Sequence, residues 1–160
     1  MDLVEKIKII QNNLSIKNFN AAVVGAKKIL KKFPKNSFTL NLCGLALQGN
    51  GDYLSSINYF EKAIFYEQNN IAAMNNLATS YKNLVEYEKA EKLYQQILKL
   101  NPNYIQALHN YANFKKIFMR YDEAIILFNQ ALEKDPKNNL IKYNLATTYQ
   151  GLGNYKEAKK

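Results

Sequence analysis

Three observations on this chain predict an all-α fold built from antiparallel helix pairs that repeat every 34 residues. First, an aromatic returns at a fixed interval: Phe19, Tyr53, Tyr87, Tyr121 and Tyr155. Aromatics make up 12% of the 160 residues. Five in register would then arise by chance about once in a thousand after allowing for the ~34 phases, so the period is a repeat. Second, other columns keep the same phase. Ala22, Ser56, Ala90, Ala124 and Ala158 form one, and Ala26, Phe60, Tyr94 and Phe128 another. Ile29, Ala63, Ile97 and Ala131 form a third, and Pro34, Gln68, Pro102 and Pro136 a fourth. A small column holds Gly44, Ala78, Ala112 and Ala146, with Ile10 departing from it. Third, apolar residues inside a unit follow helical spacing, and no stretch alternates with period two for long enough to make a strand.

The units fall at 3–36, 37–70, 71–104 and 105–138, with a partial unit at 139–160. No Ser-, Gly- or Pro-rich linker separates them, which predicts one domain over 1–160. In the first unit Ile10 and Ala26 invert the small and large positions, as expected of an N-terminal capping repeat. The second breaks at Gly49-Asn50-Gly51-Asp52. In the third, Ile71–Leu84 carries Met74, Leu77, Ala78 and Tyr81 on one helical face. After a turn at Val85-Glu86, Tyr87–Leu100 carries Ala90, Leu93, Tyr94 and Ile97, and Asn101-Pro102 stops it. The small column lets two helices approach closely, and the aromatic column fills the space beside it. The fourth unit repeats this pattern and ends at Pro136-Lys137-Asn138-Asn139. In the fifth, Leu140–Leu152 reads as a first helix with Leu145 and Tyr149 on its apolar face. Only about six residues of a second helix follow, and short isolated helices are marginal in water. The expectation is a longer parent chain with more repeats or a further domain, or self-association through the uncapped C-terminal repeat. A unit of this length cannot close its own core, so function is sought on the surface that stacking creates.

The string Asn76-Leu77-Ala78, Tyr81, Tyr87, Ala90, Tyr94, Pro102, together with the period, resembles the tetratricopeptide repeat family across essentially the whole chain. The resemblance implies a right-handed superhelical solenoid whose first helices line a concave groove. It also implies a non-enzymatic interaction scaffold that binds a peptide, as an extended segment or helix. The groove candidates are Asn41, Asn75, Asn76, Lys82, His109, Asn110, Asn113, Lys116, Tyr143 and Asn144, with Phe38, Leu45 and Leu140 beside them. Asn76, Asn110 and Asn144 stand 34 apart. An amide side chain both donates and accepts, so such a column can hold a peptide main chain whatever its sequence. Three such bonds give only ~2–5 kcal/mol, whereas micromolar affinity needs ~8, so neighbouring side chains must add the rest. The competing reading is that these are solvated family positions in an Asn-rich chain. Some family members clamp a chaperone's terminal carboxylate with paired Lys and Arg. Here the matching columns read Ile7, Asn41, Asn75, His109, Tyr143 and Lys8, Leu42, Asn76, Asn110, Asn144, which disfavours that role. The Asn column is more similar to arrays that hold substrates for sugar-transferring enzymes. The alternative function is therefore a recruiting arm for a sulfotransferase- or glycosyltransferase-type domain beyond residue 160.

The net charge of +9 is concentrated at one end. Residues 1–36 hold eight lysines against two acids, a net +6. Lys27, Lys28, Lys31, Lys32 and Lys35 read first as a solvated helix face, favoured near a helix C-terminus. A patch for an acidic partner or nucleic acid is the sharper alternative. Nucleic acid is disfavoured, because no aromatics interleave and Arg120 is the only arginine. His109 is the only histidine and Cys43 the only cysteine, which leaves no zinc set, no catalytic triad and no cofactor expected. Cys43 shares a column with Ile9, Leu77 and Leu145 and reads as core. Glu86, Glu88, Glu91, Asp122 and Glu123 complement the dipoles at the starts of second helices. No signal peptide and no membrane-length apolar run is present, so a cytoplasmic protein without a membrane partner is expected.

Overall fold

A computed structural model describes residues 1–153. Tyr155, Ala158 and the expected second helix of the fifth unit lie outside the described residues. Among those described there are nine helices and no strand. They are α1 (Leu3–Ser15), α2 (Phe19–Leu30), α3 (Ser37–Gly49), α4 (Tyr53–Tyr66), α5 (Ile71–Asn83), α6 (Tyr87–Leu100), α7 (Ile105–Ile117), α8 (Tyr121–Lys134) and α9 (Asn139–Gly151). Within each pair the turn is three residues long (16–18, 50–52, 84–86, 118–120), which forces the two helices antiparallel.

Four of the 22 asparagines start helices. Asn36 accepts from the Thr39 N–H at 2.8 Å, Asn70 from Ala73 at 2.9 Å and Asn138 from Ile141 at 3.2 Å, so α3, α5 and α9 share a cap, whereas Tyr104 precedes α7 with no side-chain cap bond. Asn18 and Asp52 cap α2 and α4 in the same way. Asp2 and Glu5 form a reciprocal capping box on α1. Asn138 brings Asn139 into α9, one residue earlier than the apolar pattern alone predicts, and Leu84 caps α5 rather than belonging to it.

The turns carry their own 34-residue column. Lys17, Gly51, Val85, Met119 and Gly153 all sit in the left-handed region, at φ of 59°, 81°, 65°, 56° and 83°. A side chain costs roughly 1–2 kcal/mol there, most for a β-branched residue. Val85 is 66% exposed, so it gains little packing in exchange. Val85→Gly is expected to raise the unfolding free energy by about 1 kcal/mol, read as a higher urea midpoint at unchanged slope. An unchanged or lower midpoint would refute the strain.

The chain divides into two compact units, residues 1–93 and 94–160. In the first, α1 packs on α2, α2 on α3, α3 on α4 and α4 on α5, while first helices also touch as α1–α3 and α3–α5. Its core joins Ile10, Ala26, Ile29, Cys43 and Leu47. Ile10 and Ala26 are both fully covered, so the first repeat keeps core volume by exchanging which helix bears the large residue. Cys43 is buried, and burial raises its thiol pKa to about 11, which makes it a packing residue. In the second unit α8 packs on α7 and α9 around Leu108, Ala112, Phe128 and Ile141. Tyr94 stacks on Tyr111 with centroids 5.3 Å apart.

The two aromatic columns divide the work. Phe60, Tyr94 and Phe128 are fully buried, whereas Phe19, Tyr53, Tyr87 and Tyr121 are half-buried near the turns. Phe19 and Tyr121 lie against Gly49 and Gly151, where an added Cβ would stand 2.5 and 2.9 Å from the ring. Glycine is needed at these positions for close approach.

Candidate peptide-binding face

The first helices position the polar residues by register. Residues 41, 45 and 48 on α3 share one helical row, and 34-residue steps carry it to 75, 79 and 82 on α5 and to 109, 113 and 116 on α7. Positions 76 and 144 stand beside that row and reach back to the preceding first helix.

In the first unit Asn76 donates through Nδ2 to Asn41 Oδ1 at 2.9 Å. Gln48 Nε2 donates to the Asn76 carbonyl at 2.9 Å and to Ser80 Oγ at 2.7 Å. Ser80 in turn meets Ser56 Oγ at 2.7 Å, and Ser56 donates to the Tyr53 carbonyl. This relay explains Ser56 in an otherwise alanine column. Asn41 and Asn75 are covered, at 7% and 5% exposure. Lys82 is half-buried, its pKa is lowered by desolvation, and among the described residues no acceptor faces it.

The second unit repeats the pattern with other residues. Asn144 presents Nδ2 to His109 Nε2 at 2.7 Å, and Asn113 Nδ2 approaches the same nitrogen at 3.0 Å. Both amides bring N–H, so Nε2 is the acceptor and the ring proton sits on Nδ1. Lys116 donates to Thr147 Oγ1 at 2.9 Å and reaches the Asn144 carbonyl at 3.5 Å. Burial lowers its pKa as well. Asn110 is half-buried, and Tyr143 is 68% exposed. Phe38 and Leu140 are exposed and Leu45 is half-buried.

Asn76 and Asn144 therefore do the same thing. Each uses its amide N–H on the preceding first helix, and among the described residues nothing donates to its Oδ1. The internal bond fixes the amide plane and so aims the free oxygen. Gln48 and Lys116 are likewise equivalent, each bonding the backbone of the next first helix. Gln48, Ser80 and Thr147 escaped the sequence reading. The signal for Gln48 was its place 34 residues before Lys82 and 68 before Lys116.

Residues 71–104, 93–126 and 120–160 each match the tetratricopeptide repeat family. The chain is 32% identical over 101 residues to the photosystem I assembly protein Ycf3 of Prochlorococcus marinus, covering 57% of this chain and 58% of that protein. It is 29% identical over 93 residues to the uncharacterized protein ycf37 of Pyropia yezoensis, covering 58% of this chain and 49% of that one. The chain thus spans about half the length of these curated relatives. Among solved structures, a thermophilic TPR protein of Thermus thermophilus superposes with a TM-score of 0.87 at 17% identity, over 96% of this chain and 84% of that one. MamA from Desulfovibrio magneticus gives 0.76 at 18% identity, over 96% and 87%. At such identities these two show the fold alone. With the repeat matches and nine helices in 34-residue register among the described residues, the chain belongs to the tetratricopeptide repeat family and folds as an all-α helical repeat solenoid.

Proposed function

We propose that the protein is a non-enzymatic scaffold in which the first helices of each unit, taken by itself, hold an extended peptide segment of a partner protein. The observation that carries this reading recurs in each unit by itself: Asn76 in the first and Asn144 in the second each keep a fixed carbonyl oxygen to which nothing among the described residues donates. Such an oxygen accepts a peptide N–H without regard to side-chain identity. In the first unit Phe38, at 47% exposure, supplies apolar contact and Lys82 a cation with no acceptor of its own among the described residues; in the second, the exposed Tyr143 supplies apolar contact. The similarity of part of the chain to an assembly protein supports a role in holding another protein rather than transforming it. This reading takes the chain to work in the cytoplasm; no helix among the described residues is long and apolar enough to cross a membrane.

Arrayed 12-residue peptides provide the test. Peptides bound by the wild type should lose about 1–3 kcal/mol of affinity to Asn76→Ala/Asn144→Ala. This double variant also loses two internal bonds, so it must first be shown folded by circular dichroism. Tyr143→Ala should weaken the same peptides with an unchanged Tm, because its ring is exposed. Full affinity in a folded double variant would refute the proposal.

A further inference from the structure

A second surface lies at the α1–α2 end of the first unit and shares no residue with the candidate face described above. A trough of about 680 Å³ runs between these two helices. Leu3, Ile9, Ile10, Ile29 and Phe33 form its apolar lining, and Lys6, Lys28, Lys31 and Lys32 also line it. No acidic side chain among the described residues lines it. Among the described residues none of these four lysine side chains makes an ion pair or hydrogen bond.

The repeat register says what shape belongs there. Positions 6 and 9 of α1 correspond to Leu40 and Cys43 of α3 and to Met74 and Leu77 of α5. Those four are 3%, 0%, 1% and 5% exposed. In each case the second helix of the preceding repeat packs on them, α2 on α3 and α4 on α5. On α1 the same positions hold a half-buried lysine and Ile9, which is 47% exposed. The stacking geometry therefore leaves room for one α-helix along α1.

Charge says what kind of helix. The trough combines an apolar floor with four cations, in the segment that carries +6 of the chain's +9. A second copy of this chain would bring a further +9 against them. We propose that the trough docks an acidic amphipathic helix of a partner protein, apolar face on Ile9, Ile29 and Phe33, with Glu and Asp flanks on the lysines. This is helix-in-groove recognition, with the partner adding the layer that α2 adds to α3.

The test uses two 18-residue fluorescent peptides and the full chain. One peptide has Leu at i, i+3, i+4 and i+7 spacing with Glu elsewhere; the other replaces every Glu by Lys. The acidic peptide should bind saturably in fluorescence anisotropy, and more weakly as salt rises. The basic peptide should bind at least about tenfold more weakly. Ile9→Asp should abolish binding, and Lys28→Glu/Lys32→Glu, which changes only exposed side chains, should reverse the preference. Equal binding of both peptides, binding of neither, or indifference to the folded variants would overturn the proposal. Sedimentation showing a dimer that Ile9→Asp dissolves would assign the trough to a second copy instead. Stronger capture by phosphatidylserine vesicles than by the acidic peptide, through the same residues, would assign it to a membrane surface.

Discussion

Phe60→Ala is expected to lower the unfolding free energy by about 3–5 kcal/mol in urea titration, the largest effect of any single substitution considered. Phe60 is fully buried on α4 with its ring over the backbone of α3 at Gly44. An added Cβ at Gly44 would stand 2.5 Å from that ring, far inside contact distance. Truncating the ring opens a cavity that α3 cannot fill, since glycine has nothing to extend into it. The reverse change, Gly44→Ala, should cost about 1–3 kcal/mol by overpacking. Combined with Phe60→Leu it should cost less than the two changes added separately, because the smaller side chain accommodates the new methyl. A loss below about 1 kcal/mol for Phe60→Ala, or strict additivity in the pair, would contradict this packing.

Glu123→Gln should destabilise the protein by about 2 kcal/mol near neutral pH, through a residue it leaves behind. Lys115 is only 3% exposed, yet it is a lysine; its Nζ lies 3.0 Å from the Glu123 carboxylate and 4.6 Å from the Tyr111 ring centroid. Removing the carboxylate from a buried pair typically costs about 3–5 kcal/mol. The lower figure applies because Glu123 is 44% exposed and water screens its side of the pair. The Arg120 guanidinium first, and then the Lys115 ammonium, hold the Glu123 carboxyl below its ordinary pKa. A depressed carboxyl pKa stabilises the fold fully above its unfolded value of about 4.5, and that contribution is lost as pH falls through the folded value. The gap between wild type and Glu123→Gln should therefore stay constant from neutral pH down to about 5 and close below it. A gap that persists in acid would trace the loss to something other than this charge.

The repeat made the fold legible. Columns such as Phe60, Tyr94 and Phe128 are read directly from spacing, and helix α6 falls at Tyr87–Leu100 as its apolar pattern predicts. Periodicity does not distinguish aromatics that fill the core from those that pack near turns. Burial makes that distinction, with the Phe60 column covered and the Tyr53 column half-exposed. The left-handed residues at 17, 51, 85, 119 and 153 were hidden because only two of the five are glycine. Composition also masked the several uses of asparagine. Asn36, Asn70 and Asn138 cap helices, whereas Asn76 and Asn144 bridge neighbouring first helices.

The amino-acid order alone determined the family, the helix pairs and the columns that face inward, because a 34-residue period with helical spacing leaves few ways to bury the apolar rows. Only the tertiary structure decided which polar groups remain available. Asn76 and Asn41, or Asn144 and His109, are 35 residues apart in sequence and meet only when successive first helices stack. A hydrogen bond consumes one specific valence of each partner. Whether an amide oxygen is left for a ligand is therefore a property of the packed pair and not of either residue.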